Sequence, residues 1–401
     1  MNTRPATASA RSVDDHRHRV EQLLRPLAVR DVDAVPMTDA LGRRLAEDVR
    51  APVDLPVFRN SGMDGYAVRA ESVAVTPVTL PLAGVVAAGQ PGLAALPPGS
   101  AMKVMTGAPI PPGADCVVPV EDTRAGETTV TFERGRAAGD FVREPGTDVR
   151  AGELLTAAGT LVRPRHIAAL AAVGLAALPV FRRIRAAVLT TGDELMPAGT
   201  PLGPGQIYNS NGIALGAALA ANEIDVVAVE HSRDDPDEFR SALARATAAA
   251  DVVFTSGGVS QGDFEVVKDV LAGRGGEFGS VAVQPGGPQG LSVVDGVPVL
   301  SFPGNPVSTM VSFEVFARPI LRELGGLPPV PEHALPLRDP VRSPGGRRQF
   351  LRGRMEPDGV ALASGPGSHL IAAMARADVL IDIPAEVTEL AAGAIVTVWE
   401  L

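Results

Sequence analysis

A chain of 401 residues is too long for one ordinary hydrophobic core, so roughly two to four domains are expected. Hydrophobic content of 45% against 20% charged residues describes a globular protein, and a net charge of −10 argues against nucleic-acid binding through a basic face. The single cysteine, Cys116, excludes an intrachain disulfide and a cysteine metal cluster.

Residues 1–12 read as disordered and lack the apolar centre of a signal peptide. Val20, Leu23, Leu24 and Leu27 then recur at helical spacing, and Thr38 is placed to cap a short helix through Leu45. From about residue 51 the texture becomes short β-like runs broken by Gly and Pro, such as VTLPLAGVVAAGQP. This predicts a small β-rich module ending near Asp140. Helix returns at about 164–178, with Pro164 in its first turn. The longest apolar run, residues 167–181, is short for a bilayer and contains Pro179, so no membrane span is expected and the chain is placed in the cytoplasm.

A different rhythm begins at Arg185. RAAVLTTGDE reads as a strand, and the helix after it, through Ala221, is capped by Asn209 or Ser210. IDVVAVE and DVVFTS are strands separated by the helix DDPDEFRSALARATAAA, and DFEVVKDVLAG is a helix. SVAVQP and PVLSFP are further strands, and PVSTMVSFEVFARPILREL closes as a helix containing Pro319. Such alternation predicts a doubly wound, mostly parallel α/β domain at 186–325. Beyond the Pro-rich joint GGLPPVPEHALP, short β runs predict a small C-terminal β-barrel over 331–401.

Open parallel sheets bind ligands beyond the carboxyl ends of their strands. TSGGVSQGD, residues 255–263, falls at such an end. Gly257 and Gly258 let backbone N–H groups approach an anion, Ser260 adds a hydroxyl, and Asp263 is either a ligand-side acid or a helix cap. The loop has neither Walker nor G-x-G-x-x-G spacing. SFPGNPVS repeats the arrangement through Gly304, Asn305 and Ser308, which also make an ordinary helix start. Three acid pairs, Asp193–Glu194, Asp234–Asp235 and Asp263–Glu265, are predicted to reach the same edge. A phosphate among several carboxylates needs a hard cation between them, which points to Mg²⁺. With only Lys103 and Lys268 as lysines, anions fall to arginine, backbone N–H groups and helix N-termini. The histidines are scattered, only His231 lies near the predicted edge, and covalent catalysis has no motif behind it. In the N-terminal module, Asp64 of FRNSGMDGYAV sits in a tight turn that it can stabilise through backbone bonds.

Taken in order, NSGMDGYAV, VMTGAPIPPGAD, TTGDEL, GQIYNSNG, RDDP, TSGGVSQGD, SFPGNPVS and GSHLIAAMARAD resemble the molybdopterin molybdenumtransferases, the family that includes the E domain of gephyrin. The resemblance runs from about residue 20 to the C-terminus. It implies a discontinuous helical domain (13–55 and 141–185), a β-rich insert (56–140), and a homodimer whose active site is shared between subunits. The implied reaction converts adenylylated molybdopterin and molybdate to molybdenum cofactor and AMP with Mg²⁺. By motif, Glu194 and Asp234 are the implied magnesium ligands, Glu265 sits near the phosphoanhydride, and Asp64 acts from the other subunit. Thr106, Gly257, Gly258, Ser260, Gly262, Asp263, Pro285, Gly286, Pro303, Gly304, Asn305, Ser308, Arg347, Arg352 and Ser368 are the implied substrate contacts. Other molybdenum-cofactor synthesis proteins are implied as partners.

The chain departs from the family pattern twice. Relatives commonly carry K-P-G-K-P where this chain has Gln284-Pro285-Gly286-Gly287-Pro288, and the C-terminal R-x-[DE]-[FY]-x-R pattern has Gln349 for its acid. The second change either frees an arginine cluster for molybdate or weakens anion affinity. The missing lysines also leave room for a catalytically weak paralogue that carries or scaffolds the cofactor. A nucleotide pyrophosphatase would leave DGYA, TGAP and the C-terminal β module unexplained.

Overall fold

The computed structural model describes residues 10–89, 94–260 and 265–401. Gly262, Asp263 and most of the N-terminal segment read as disordered lie outside those ranges. Two compact units make up the chain: Asp33–Val180, and the residues up to Val32 together with Phe181–Leu401.

The larger unit is built on a six-stranded sheet. Its strands are β1 (Arg185–Thr191), β2 (Asp225–Ser232), β3 (Val252–Ser256), β4 (Glu277–Ser280), β5 (Pro288–Val294) and β6 (Val297–Phe302), in the order β2-β1-β3-β6-β5-β4. β2, β1, β3 and β6 are parallel, and β5 and β4 extend the sheet antiparallel. Alternation within β1 serves both faces. Ala186 and Val188 pack with Val20 and Leu24 of α1 (Val13–Leu24) and Leu215 and Leu219 of α2 (Ser210–Ala221). Ala187 and Leu189 face Phe239 and Leu243 of α3 (Pro236–Ala249) and Val267 and Leu271 of α4 (Val266–Ala272). Helix 13–24, grouped in sequence with residues 25–55, thus shares the core of the central sheet.

The predicted closing helix is interrupted. α5 (Pro306–Ser312) passes through a π turn at Phe313–Ala317 into α6 (Arg318–Gly325). Pro319 has no N–H for the carbonyl of Val315 four residues earlier. Arg17 Nε of α1 donates to that oxygen instead, at 3.1 Å.

The second sheet of this unit orders the two-residue strand Val283–Gln284, then β8 (Arg348–Glu356), β9 (Val379–Ile383), β10 (Ile395–Glu400) and β7 (Glu332–Pro336). Phe350, Leu380 and Trp399 belong to the same core cluster as the central sheet, so the C-terminal β module and the α/β part are packed together. Of the predicted strand SVAVQP, Ser280 ends β4 and only Val283–Gln284 of the rest is strand, hydrogen-bonded to β8 in the other sheet.

The unit Asp33–Val180 carries a six-stranded sheet ordered Cys116–Pro119, Gly65–Val68, Ala101–Val104, Val78–Val86, Thr129–Phe132 and Thr123–Ala125. Its regular helix among the described residues is Pro164–Ala172, shorter than the predicted 164–178, because the chain turns at Gly174 into the strand Ala177–Phe181. The helix expected to follow Thr38 is a 3₁₀ turn, Met37–Asp39. Gly42 at φ 74° then breaks the path, and Arg44 and Leu45 form β-bridges to Leu161 and Val180.

Candidate functional site

Parallel pairing brings three strand ends level. Thr190 of β1 lies opposite Ser256 of β3, and Ser256 lies opposite Phe302 of β6. The loops leaving those ends surround a cavity of about 780 Å³. Gly257, Gly258 and Ser260 line it from the loop after β3, and Pro303, Gly304, Asn305 and Ser308 from the loop after β6 and the start of α5. Pro285 and Gly286 form another part of the wall, and Ser368 reaches it from the C-terminal module.

One acid of each predicted pair lines this cavity: Glu194, Asp234 and Glu265. Their neighbours have other work. Asp193 accepts from Arg233 Nε at 3.2 Å and from the Asp234 N–H at 3.3 Å, and these bonds hold its carboxyl below the ordinary range. Asp235 caps α3, accepting from the N–H groups of Asp237 (2.9 Å) and Glu238 (2.8 Å). Asp263 lies outside the described residues. Glu265 accepts from the N–H of Ser260 at 2.8 Å, which ties the carboxylate to the glycine loop.

The cavity accumulates negative charge. Burial first, and then the charges of Asp193 and Glu194, push the Asp234 carboxyl above its ordinary range despite a 3.4 Å hydrogen bond from the Asp193 N–H. Among the described lining residues there is no arginine or lysine. Gly192, at φ 146°, leaves room for Glu194: a Cβ there would come within 2.6 Å of a Glu194 carboxylate oxygen. No group of three or more His, Cys, Asp or Glu among the described residues is arranged to hold a metal by itself. Two oxygen donors such as Glu194 and Asp234 suit Mg²⁺, which ordinarily completes its shell with water and substrate phosphate.

Asn211, not among the site residues expected from sequence, also lines the cavity. Its Nδ2 donates to Ser256 Oγ at 2.9 Å and to the carbonyl of Gly304 at 2.7 Å, joining two loop tips from the first turn of α2. The run GQIYNSNG offers Asn209 or Ser210 as the cap of this helix and carries Asn211 beside them. Asn209 is that cap, accepting from the N–H of Gly212 at 3.2 Å. His369, set aside as scattered, lines the cavity as well. Its neighbour Ser368 accepts from the N–H of Val307 at 3.1 Å, which brings the late loop to α5.

Asp64 and Thr106 come together in the unit Asp33–Val180. Asp64 Oδ1 accepts from the Thr106 N–H at 2.6 Å and from its hydroxyl at 3.0 Å, and these bonds hold the exposed carboxyl below the ordinary range. The N–H of Gly107 donates to the Ser61 carbonyl at 2.8 Å, so the DGYA and TGAP loops form one surface feature.

Family models cover the chain in order. Residues 11–174 match the MoeA N-terminal region (domain I and II), 187–323 a probable molybdopterin binding domain, and 334–401 the MoeA C-terminal region (domain IV). A molybdopterin molybdenumtransferase 2 of Mycobacterium tuberculosis is 45% identical over 98% of this chain and 100% of its own length. The chain belongs to the molybdopterin molybdenumtransferase family. A molybdopterin molybdenumtransferase of Synechococcus elongatus is 39% identical, over 83% of this chain and 85% of the relative. The crystal structure of a molybdopterin biosynthesis MoeA protein from Pyrococcus horikoshii superposes with a TM-score of 0.81 at 31% identity, covering 98% and 99% of the two chains. This molybdenumtransferase is therefore an enzyme of molybdenum cofactor biosynthesis with the multidomain α/β and β architecture read from its sequence. No helix among the described residues is long and apolar enough to cross a membrane.

The C-terminal arginines do not form the free cluster considered from sequence. Arg347 is exposed and outside the cavity lining, and Arg348 is held by Asp382 through two bonds of 2.8 and 2.6 Å and by Asp14 at 3.0 Å. Arg352 is fully buried behind the wall. Its Nη2 donates to Ser364 Oγ (3.0 Å) and the carbonyl of Gly367 (3.1 Å), while Nε and Nη1 find no partner among the described residues. It shapes the loop that carries Ser368. The two departures from the family pattern meet directly, since Gln349 Nε2 donates to Gln284 Oε1 at 2.7 Å.

Proposed function

We propose that this molybdenumtransferase converts adenylylated molybdopterin and molybdate to molybdenum cofactor and AMP. What carries the reading is the convergence of Glu194, Asp234 and Glu265 with three loop tips in one cavity that has no lysine or arginine among its described lining. A phosphoanhydride cannot sit beside three carboxylates unless a cation compensates them. Glu194 and Asp234 would hold Mg²⁺, which when bound neutralises charge between carboxylates and phosphate oxygens. The backbone of Gly257 and Gly258, with Ser260, cradles the nucleotide phosphate, and Asn305 and Ser308 border the same space. Glu265 stands by the bond that breaks. Buried Arg352, a cation behind the Ser364–Ser368 loop with two nitrogens unpartnered among the described residues, favours an anion on that side. The work is positioning and charge compensation, with no covalent enzyme intermediate.

In this reading the protein is a cytoplasmic homodimer. Asp64 of one copy, held ionised by Thr106, completes the cavity of the other, and proteins that make or receive the pterin are its partners. A carrier of the finished cofactor is the second reading, favoured by Gln284 and Gly287 at the positions of the family's loop lysines. Supplying purified protein with adenylylated molybdopterin, molybdate and Mg²⁺ separates the two. Molybdate-dependent AMP release is expected; cofactor binding without AMP at saturating molybdate establishes the carrier.

A further inference from the structure

Gln284 and Gln349 lie directly opposite each other where Val283–Gln284 pairs in parallel with β8. Gln284 lines the cavity, whereas Gln349 is 1% exposed. The buried amide donates through Nε2 to Gln284 Oε1, and its own Oε1 has no partner among the described residues. Reversing both amides would leave the Gln349 NH₂ group buried without an acceptor, and an orphaned N–H is rarer in proteins than an under-satisfied carbonyl. Burial of Gln349 therefore selects one orientation for Gln284. With the Gln284 oxygen engaged, the donor end of that side chain is its NH₂ group.

A second amide holds the adjacent turn. Gln289, 3% exposed, donates through Nε2 to the carbonyl of Gly286 and to Ser312 Oγ, each at 2.7 Å. The Pro285–Gly286 wall is thus set by neutral hydrogen bonds on both sides, and Arg348, the nearest cation in sequence, is committed to Asp382 and Asp14. We propose that Gln349 is a positioning residue that fixes the Gln284 amide with its NH₂ group toward the cavity, where it donates to a tetrahedral oxyanion and selects it by hydrogen-bond geometry instead of by net charge. This rests on the molybdate-using reaction proposed above. A neutral donor makes the anion's affinity weakly dependent on salt, because no counter-ion is displaced from the donor.

The experiment is isothermal titration of sodium molybdate into the full-length protein with AMP and Mg²⁺, at low and high salt. The variants are Gln284→Met, Gln349→Met and their double, with Gln349→Glu as a fourth and thermal unfolding as the check on folding. Gln284→Met is expected to weaken molybdate about tenfold, in line with one hydrogen bond to a charged group. Gln349→Met should weaken it about three- to tenfold, and the double variant no further than Gln284→Met. An ionised carboxylate can only accept, so Gln349→Glu in that form turns the Gln284 carbonyl to the cavity and should weaken binding at least as much as Gln284→Met. A Gln349→Met loss that persists undiminished in the Gln284→Met background overturns the positioning role. Unchanged binding in every folded variant overturns the whole proposal and leaves the proposed reaction standing. No molybdate binding by the wild type overturns that reaction first and this inference with it.

Discussion

Adjacent acids in this chain divide labour so sharply that neighbouring substitutions should give opposite results. Asp234 lines the cavity beside Glu194, while Asp235 caps α3 with two backbone bonds. Asp234→Asn should lower kcat/KM for AMP release at least about 100-fold with little change in stability, as loss of a metal-holding carboxylate does. Asp235→Ala should cost about 1 kcal/mol in urea unfolding and leave kcat/KM within a few-fold of wild type. His16 supplies a pH test of the fold. Burial, then the charges of Arg11 and Arg19, lower its pKa to about 3, and its ring meets Phe316 edge-on at 4.6 Å. Because the folded value lies below the unfolded value of about 6.5, its contribution is complete above that pH and is lost as pH falls below it. Wild-type stability should drop by about 2 kcal/mol more than that of His16→Leu between pH 7.5 and 5, read from urea midpoints at the two pH values.

At the scale of elements, α1 is fastened to the central sheet by a device no periodicity reveals. Arg17 supplies the donor that Pro319 denies to Val315, and its guanidinium lies 4.6 Å from the Trp399 ring centroid. Arg17→Met should destabilise the protein by about 1–2 kcal/mol in urea unfolding, through loss of that bond and of the cation–π contact. Sequence made β1, β3 and β6 readable because strands covered on both faces are short runs of β-formers between turn residues. It did not expose β5, whose opening Pro288-Gln289-Gly290 reads as a turn, although Gly290 is required there: a Cβ would meet the Phe278 ring at 2.3 Å. Helix α1 was readable as a helix, but its packing was not, since its partners come after the whole Asp33–Val180 unit. The acids and glycine loops were legible as a set because loop motifs sit at strand ends fixed by fold class. Asn211, His369 and the Gln284–Gln349 bond were not, because each owes its place to tertiary pairing between segments distant in sequence.

For the whole molecule, the question is whether one chain carries a complete site. The described cavity lining carries three carboxylates, and Asp64 and Thr106 are hydrogen-bonded to each other on the unit Asp33–Val180. A site shared across a twofold dimer makes a quantitative prediction that a self-contained chain does not. Asp64→Asn and Asp234→Asn should each abolish AMP release when assayed alone. If the protein is the proposed homodimer, co-expression of the two chains with distinguishable tags gives heterodimers in which one cavity carries both changes and the other carries neither. Random pairing makes half the dimers mixed, each with one intact site, so the mixture should recover about a quarter of wild-type activity. Purified heterodimer should recover about half. Were Asp64 to serve the cavity of its own chain, every site in the mixed dimer would carry one damaged acid, and no recovery would be seen. The size of the recovered rate therefore assigns Asp64 to one protomer or the other.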